Sequence, residues 1–112
     1  MPILKENESK STEISKNVFR KTVYLNNIMT AVIDFTNGPM KEPDPPHAHP
    51  HEQISYVAEG ELLLFIGEEK TRLTKGDIFY VPSNESHTVQ TLTEKVRLID
   101  SFSPIRKDFL LQ

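Results

Sequence analysis

Short apolar segments separated by turn residues fill most of this sequence, and they constrain its fold more than any other feature. The segments are rich in Val, Ile, Leu, Thr and Phe, and none has a convincing helical period. Turn residues recur between them, as in Glu59-Gly60, Lys75-Gly76 and Pro82-Ser83-Asn84. Short strands at this regular spacing are typical of an all-β sandwich or barrel. The predicted strands are Val18–Leu25, Ile28–Phe35, Pro46–His49, Gln53–Ala58, Glu61–Ile66, Lys70–Leu73, Asp77–Val81, His87–Leu92 and Lys95–Phe102.

The length of 112 residues allows one domain with a modest hydrophobic core. Residues 1–16 are rich in Lys, Glu, Ser and Asn and predict a polar N-terminal arm or an edge strand. Residues 17–112 are predicted to form a single barrel domain, with only a short terminal turn at Arg106–Gln112.

Composition argues against several classes of partner and site. The chain has no cysteine, which excludes disulfides and thiolate metal ligands. A net charge of −3 without a basic stripe argues against nucleic acid. No apolar segment is long enough to span a membrane, and the polar start lacks a signal-peptide core, so we expect a cytoplasmic protein.

Two predicted strands are apolar on both faces, around Leu62–Ile66 and Ile78–Val81. A sheet covered on one side only should alternate apolar and polar residues. The second face must therefore pack against another sheet, a tail or a second subunit. In so small a protein this pattern favours a homodimer over cover within one subunit.

All four histidines fall in two short segments, and their spacing indicates a metal site. On an extended strand His47 and His49 project to the same side, about 7 Å apart. A third imidazole from His87 and an oxygen from Gln53 would complete four protein ligands. Such a set suits one divalent transition metal such as Zn, Ni, Fe or Mn. The alternative is a group of hydrogen-bonded or surface histidines.

Asp100 is predicted to point into the barrel, because it alternates with Val96, Leu98 and Phe102 along one strand. A buried carboxylate needs a nearby cation, such as a metal ion or Arg106. In a partly apolar cavity such a group can act as a general acid or base. The alternative is a structural ion pair that closes the barrel end.

Arg106 follows the last predicted strand and offers a planar set of donors that suits a substrate carboxylate. It could equally be a surface arginine or the ion-pair partner of Asp100.

His51 follows Pro50, which disturbs the strand, so we expect His51 beside the metal or at the rim rather than on the ion. Side chains that could also line the pocket, with no assigned role, are Ser55, Tyr56 and Phe102.

The two histidine segments resemble the two sequence motifs of the cupin superfamily, whose fold is a double-stranded β-helix or jelly-roll barrel. The matching residues are His47, His49, Gln53 and Gly60 in the first motif, and Gly76, Pro82 and His87 in the second. The resemblance covers roughly residues 18–106.

Four positions depart from the cupin pattern. Gly38 lies too far away to match the first glycine, and Thr91 replaces the final asparagine. Asn84 stands where glycine is expected, and asparagine tolerates a left-handed turn. Gln53 replaces the usual metal-binding glutamate, which leaves the metal more cationic and favours a Lewis-acid role on an anionic substrate.

The segment His47–Val57 and the tail from Asp100 to Leu110 are similar to small cupins of the pectin-degradation type. Those proteins open the ring of 4,5-unsaturated monouronates to give a linear keto acid. The resemblance implies a divalent metal on the two motifs, with Asp100 and Arg106 acting beside it. It also implies a small carboxylate substrate.

Two other functions remain open on sequence grounds. The same three-histidine scaffold can bind O₂, as in an iron- or manganese-dependent dioxygenase, although Gln53, Asp100 and Arg106 weigh against it. The chain could also be a non-catalytic barrel that binds a small sugar or carboxylate.

Overall fold

The structure is a computed structural model that describes residues 3–111, so Met1, Pro2 and Gln112 of the predicted arm and terminal turn lie outside it. Within residues 3–111 the chain forms nine strands and two short 3-10 helices. The strands are β1 (Thr12–Ser15), β2 (Val18–Tyr24), β3 (Met29–Phe35), β4 (Glu52–Glu59), β5 (Glu61–Ile66), β6 (Glu69–Thr74), β7 (Ile78–Val81), β8 (His87–Thr91) and β9 (Val96–Ser103). The 3-10 helices are Glu6–Glu8 and Lys107–Leu111.

The strands form two antiparallel sheets. The larger has the order β1-β2-β3-β9-β4-β7, and the smaller has the order β6-β5-β8. The inner faces of the two sheets share a buried apolar cluster that contains Val57 from β4, Leu62 from β5 and Leu98 from β9. A second cluster of Met29 and Phe102 lies on the larger sheet. This arrangement confirms the predicted all-β architecture.

Strand β9 lies in the middle of the larger sheet, between β3 and β4. Its residues alternate between buried and partly exposed, and the buried set includes Leu98 at 3%, Asp100 at 4% and Phe102 at 3% exposure. The predicted inward orientation of Asp100 is therefore confirmed. A carboxylate sits on a face that is otherwise largely apolar.

Eight of the nine predicted strands are present, with bounds that agree within one residue. The predicted strand Pro46–His49 is wrong, because this segment forms only an isolated bridge between His47 and His87. Pro45, Pro46 and Pro50 lack the N–H groups that a continuous ladder requires. In the N-terminal segment, β1 pairs with β2 as the edge of the larger sheet.

The outer face of the larger sheet carries exposed apolar side chains on β4 and β7. Ile54 lies opposite Tyr80 and Tyr56 lies opposite Ile78, with exposures from 39% to 71%. The suggestion that Tyr56 lines the pocket is therefore wrong, because strand alternation places it on the other face from Gln53 and Ser55.

Among residues 3–111 no helix has the length and apolar character needed to cross a membrane.

Gly60 connects β4 in one sheet to β5 in the other, and its backbone φ is +83°. A Cβ at this position would collide with the Lys95 carbonyl oxygen. We expect Gly60→Ala to lower the free energy of unfolding by about 3 kcal/mol, from left-handed strain plus the collision. Urea denaturation measures this change.

The matched control is Gly76→Ala. Gly76 also has a positive φ, of +97°, but a Cβ there would meet no atom within 4 Å. Only the conformational penalty remains, and we expect a loss of about 1 kcal/mol. Equal losses in the two variants would contradict the packing around Gly60.

Candidate metal centre

Three histidines from separate parts of the chain meet at one end of the barrel. His47 and His49 lie in the loop before β4, and His87 begins β8. Their ligand nitrogens all lie within 4.8 Å of one another. Zinc–imidazole bonds are about 2.1 Å long, so small side-chain adjustments would bring the three nitrogens onto one ion. The predicted grouping of these histidines is what the structure shows.

Backbone hydrogen bonds hold the two histidine segments together. His47 and His87 exchange two such bonds, of 3.0 and 2.9 Å. The Asn84 N–H donates to the His49 carbonyl at 2.7 Å, and Asn84 has a φ of +66°. The left-handed turn expected at Asn84 is therefore present, and it ties the second segment to the first.

In each of the two buried histidines, a backbone carbonyl accepts a hydrogen bond from Nδ1, which fixes Nδ1 as the protonated ring nitrogen. The Nδ1 atom of His49 lies 2.9 Å from the His51 carbonyl oxygen, and that of His87 lies 2.9 Å from the Glu85 carbonyl oxygen. Each Nδ1–H therefore donates to a carbonyl, which leaves the Nε2 lone pair for a metal. The His87 Nε2 atom is buried and has no hydrogen-bond partner among the described residues.

The surroundings of His47 and His49 favour the neutral imidazole, which is the form that binds a metal. Burial, followed by the neighbouring His87 and His49 rings, lowers the pKa of His47 to about 4. Burial, followed by the charge of Arg106, also lowers the pKa of His49. Part of His47 remains exposed, which places it at the mouth of the site.

Gln53 lies beside these rings and completes the predicted donor set. Its Oε1 atom is 3.1 Å from the His49 Nε2 atom, and its Nε2–H group donates to the Ser55 hydroxyl at 2.9 Å. Two ligands about 2.1 Å from one ion and at right angles to each other would be about 3 Å apart. The amide oxygen and the histidine lone pair therefore fit a common cation between them.

Asp100 lies opposite Ser55 in the β4–β9 register and accepts a hydrogen bond from its hydroxyl. The Asp100 Oδ1 atom is buried and has no hydrogen-bond partner among the described residues. Burial raises the pKa of Asp100 to about 6, although the Ser55 hydrogen bond and the Arg106 charge oppose this rise. Asp100 can therefore hold or release a proton near neutral pH.

Arg106 pairs with Asp108 and not with Asp100. Its Nε and Nη2 atoms donate to the two Asp108 carboxylate oxygens at 3.0 and 2.7 Å. The guanidinium also lies 5.2 Å from the Phe102 ring centroid and 4.3 Å from that of Phe109. Nη1 is outside the ion pair with Asp108, so Arg106 keeps donors that a substrate could use.

One cavity of about 250 Å³ brings together the predicted site residues except His49, which contacts Gln53 and the ring of His87. The cavity is lined by His47, Gln53, His87, Asp100, Phe102 and Arg106. Ser55 links Gln53 to Asp100. The sequence signal for this role is that Ser55 lies two positions after Gln53 on β4, so both side chains point to the same face of the strand. Phe109 and Arg20 also line the cavity, and sequence reasoning missed both.

Comparison with known proteins gives a consistent result for the family. The cupin domain family model matches residues 36–102, which is more than half of the chain. The chain belongs to the cupin family. The match spans both histidine segments and the strands from β4 to nearly the end of β9.

Several relatives are similar over nearly the whole chain. The pectin degradation protein KdgF of Dickeya dadantii (strain 3937) is 36% identical over 107 residues, which cover 94% of each protein. The solved structure of KdgF from Halomonas sp. is 30% identical with a TM-score of 0.84, and the match covers 93% of this chain and 95% of that one. An RmlC-like cupin from Shewanella frigidimarina NCIMB 400 is 32% identical with a TM-score of 0.87, covering 97% and 96% of the two chains. The cupin jelly-roll barrel implied by the sequence resemblance is therefore confirmed.

The raised pKa of Asp100 gives a pH-dependent stability prediction for the metal-free protein. An ordinary carboxyl pKa of 3.8 rises to about 6 on folding, so the folded state binds this proton more tightly. The contribution of Asp100 to stability is full below about pH 4 and is lost as pH rises through 6. Relative to Asp100→Asn, wild type should lose about 2 kcal/mol of unfolding free energy between pH 4 and 7.

Urea denaturation of both proteins in EDTA, at pH values from 4 to 7.5, measures this difference. The amide in the Asp100→Asn variant cannot titrate, so effects of other groups cancel between the two proteins. A difference in unfolding free energy that stays constant with pH would contradict the buried, destabilised carboxylate.

Proposed function

We propose that this chain is a metal-dependent cupin enzyme that opens the ring of 4,5-unsaturated monouronates. One observation carries the proposal: a single cavity is lined by His47, His87 and Gln53 together with the buried carboxylate of Asp100, whose Oδ1 atom has no hydrogen-bond partner among residues 3–111. The similarity to the pectin degradation protein KdgF supports the choice of substrate class.

The proposed metal ligands are His47, His49, Gln53 and His87, and the cofactor is one divalent ion such as Zn, Ni, Fe or Mn. Two features support this set. The His87 Nε2 atom is buried without a hydrogen-bond partner among residues 3–111, and the acceptor atoms of His49 and Gln53 face each other. When bound, the metal would supply Lewis-acid stabilisation of negative charge on substrate oxygens. The neutral amide of Gln53 leaves more positive charge on the ion than a glutamate would.

The proposed reaction needs two proton movements and no covalent nucleophile. The hydroxyl at C1 loses a proton, the carbonyl at C1 forms and the bond from C1 to the ring oxygen breaks, which leaves an enolate at C5. The enolate becomes a ketone when C4 gains a proton. Asp100 is proposed to carry the proton in these steps, because it is the buried carboxyl group of the cavity with a pKa near neutrality.

Ser55 and Arg106 are proposed to hold the reacting groups in place. Ser55 accepts from the Gln53 amide and donates to Asp100, so it fixes the orientation of both groups. Arg106 is proposed to bind the substrate carboxylate with donors outside its pair with Asp108. Phe102, packed against His49 with ring centroids 5.8 Å apart, restricts water on this side of the cavity.

The activity is tested by following loss of the ultraviolet absorbance of a 4,5-unsaturated monouronate with metal-loaded protein. We expect wild type to accelerate this loss. Asp100→Asn should reduce the rate by about 10²- to 10⁴-fold while its metal content stays at the wild-type level. His49→Ala should lose both metal and activity.

His51→Ala is the matched control for His49→Ala. The His51 group that orients His49 is its backbone carbonyl, which the alanine variant keeps. Metal content measured by mass spectrometry should therefore stay near one ion per chain. No acceleration by a wild-type protein shown to contain metal would contradict the proposed substrate. Oxygen consumption with a carboxylate would then favour a dioxygenase. Saturable binding of a carboxylate without turnover would favour a non-catalytic barrel.

We also propose that two copies of the chain form a homodimer through the exposed apolar face of β4 and β7. Ile54, Tyr56, Ile78 and Tyr80 form two adjacent cross-strand pairs at the edge of the larger sheet. Contiguous exposed apolar residues of this kind mark interaction surfaces. A second copy presents the same patch, so a dimer with two-fold symmetry would bury the apolar patches of both copies against each other.

Sedimentation velocity should give a particle of about twice the chain mass of 12.8 kDa. The double variant Ile54→Lys/Tyr80→Lys should sediment as a monomer, because it places charges in the centre of the interface. Leu25→Lys changes an apolar residue that is 74% exposed elsewhere and should remain dimeric. A monomeric wild type would rule out this interface.

A further inference from the structure

A groove of about 450 Å³ lies between the turn from β1 to β2 and segment 38–44, and the proposed reaction does not use it. Ser15, Val18, Phe35 and Asp44 line both this groove and the metal cavity, so the two spaces adjoin. Ligand pockets usually have volumes of roughly 300–1,000 Å³, whereas the metal cavity alone has about 250 Å³. The groove therefore adds room for a ligand larger than one sugar unit.

The groove and the metal cavity lie along the same strand, β8. Segment 38–47 runs antiparallel to β8, and its backbone N–H groups donate to carbonyl oxygens along that strand and just beyond it. These bonds join Gly38 to Glu94, Met40 to Thr91, Asp44 to Val89 and His47 to His87. His87 lines the metal cavity and Thr91 lines the groove, and strand alternation places both side chains on one face of β8. Four residues of extended chain separate these two positions by about 13 Å, a distance that a disaccharide can span.

Thr91 places a buried, unsatisfied hydroxyl at the floor of the groove. The residue is 1% exposed, and its Oγ1 atom has no hydrogen-bond partner among residues 3–111. Buried hydroxyls in folded proteins are normally paired, and one without a partner is destabilising. Thr91 is also one of the positions that depart from the cupin pattern. A polar atom of a ligand in the groove would pair with this hydroxyl.

The other side chains of the groove suit an acidic sugar. Lys16 is exposed and forms no ion pair with the residues that the structure describes. The side-chain amides of Asn17 and Asn37 also make no hydrogen bond within residues 3–111, so they can bind sugar hydroxyls. Phe35 and Met40 supply apolar surface for the C–H groups of a sugar ring. The groove thus offers one cation for a carboxylate and neutral groups for the rest of the ring.

We propose that the groove is a second sugar site, which binds one unit of a uronate disaccharide while the other unit occupies the metal cavity. Lys16 binds the carboxylate of the unit in the groove, and the Thr91 hydroxyl pairs with one of its oxygens. The placement of a uronate in the metal cavity rests on the function proposed above. Because the disaccharide fills that cavity as well, it competes with the monouronate and inhibits ring opening.

Binding of two saturated uronates, α-1,4-linked digalacturonate and D-galacturonate, tests the second sugar site without turnover. Isothermal titration of metal-loaded wild type should give a Kd for digalacturonate that is lower than that for galacturonate by about 10-fold or more, because the second unit adds hydrogen bonds and one charged contact. Digalacturonate should also inhibit ring opening of the unsaturated monouronate competitively, and at lower concentrations than galacturonate does.

Two variants assign this gain in affinity to the groove. Thr91→Val removes the hydroxyl at nearly constant volume, and Lys16→Gln removes the positive charge. Each should weaken digalacturonate binding by about 3- to 10-fold and leave galacturonate binding unchanged. Thr91→Val should not lower the unfolding free energy measured in urea, because the lost hydroxyl has no partner among residues 3–111. Lys70→Gln changes an exposed lysine on β6, outside the groove, and should bind both sugars like wild type.

Two binding results would overturn the proposal: digalacturonate that binds wild type no more tightly than galacturonate does, or digalacturonate affinity that is unchanged in both Lys16→Gln and Thr91→Val. Ring opening of the monouronate together with either of these results would support the proposed enzyme and refute the second sugar site. Tighter digalacturonate binding that depends on Lys16 and Thr91, in a protein that does not open the ring, would support the second sugar site and refute the proposed reaction.

Discussion

His47 and His87 exchange two backbone hydrogen bonds, and the geometry of the site depends on this single bridge. The segment around His47 is too rich in proline to join a sheet, so no ladder places its histidines. The bridge and the Asn84–His49 hydrogen bond fasten this irregular loop to the start of β8 instead. The rings of His47 and His87 are consequently 4.3 Å apart, although the residues are forty positions apart in the chain.

A second set of contacts couples the metal centre to the buried acid. Gln53, Ser55 and Asp100 lie on the inner faces of neighbouring strands, and hydrogen bonds run from the amide through the hydroxyl to the carboxylate. The same amide directs its oxygen toward His49. One short strand, β4, therefore orients both a proposed metal ligand and the proposed proton carrier, and burial by β9 gives that carrier its raised pKa.

Strand alternation and motif spacing predicted the parts of the structure that depend on local sequence. They indicated the positions of eight strands along the chain, the inward position of Asp100 and the left-handed turn at Asn84, all of which the structure contains. They failed at Pro46–His49. Two histidines separated by one residue give the same sequence pattern on a strand and in a loop that is held by a single β-bridge. They also missed Arg20 and Phe109, because their contact joins the first third of the chain to its last residues, and no local pattern encodes that contact.

In the proposed reaction, Asp100 delivers a proton to C4 of the enolate beside the histidine centre. This step is tested by running the reaction of a 4,5-unsaturated monouronate in D₂O and analysing the product by NMR. We expect one deuterium at C4, in a single configuration with wild type and in a mixture with Asp100→Asn. A product of wild type with the same mixture of configurations as the uncatalysed reaction would contradict the role of Asp100, because the proton would then come from free water.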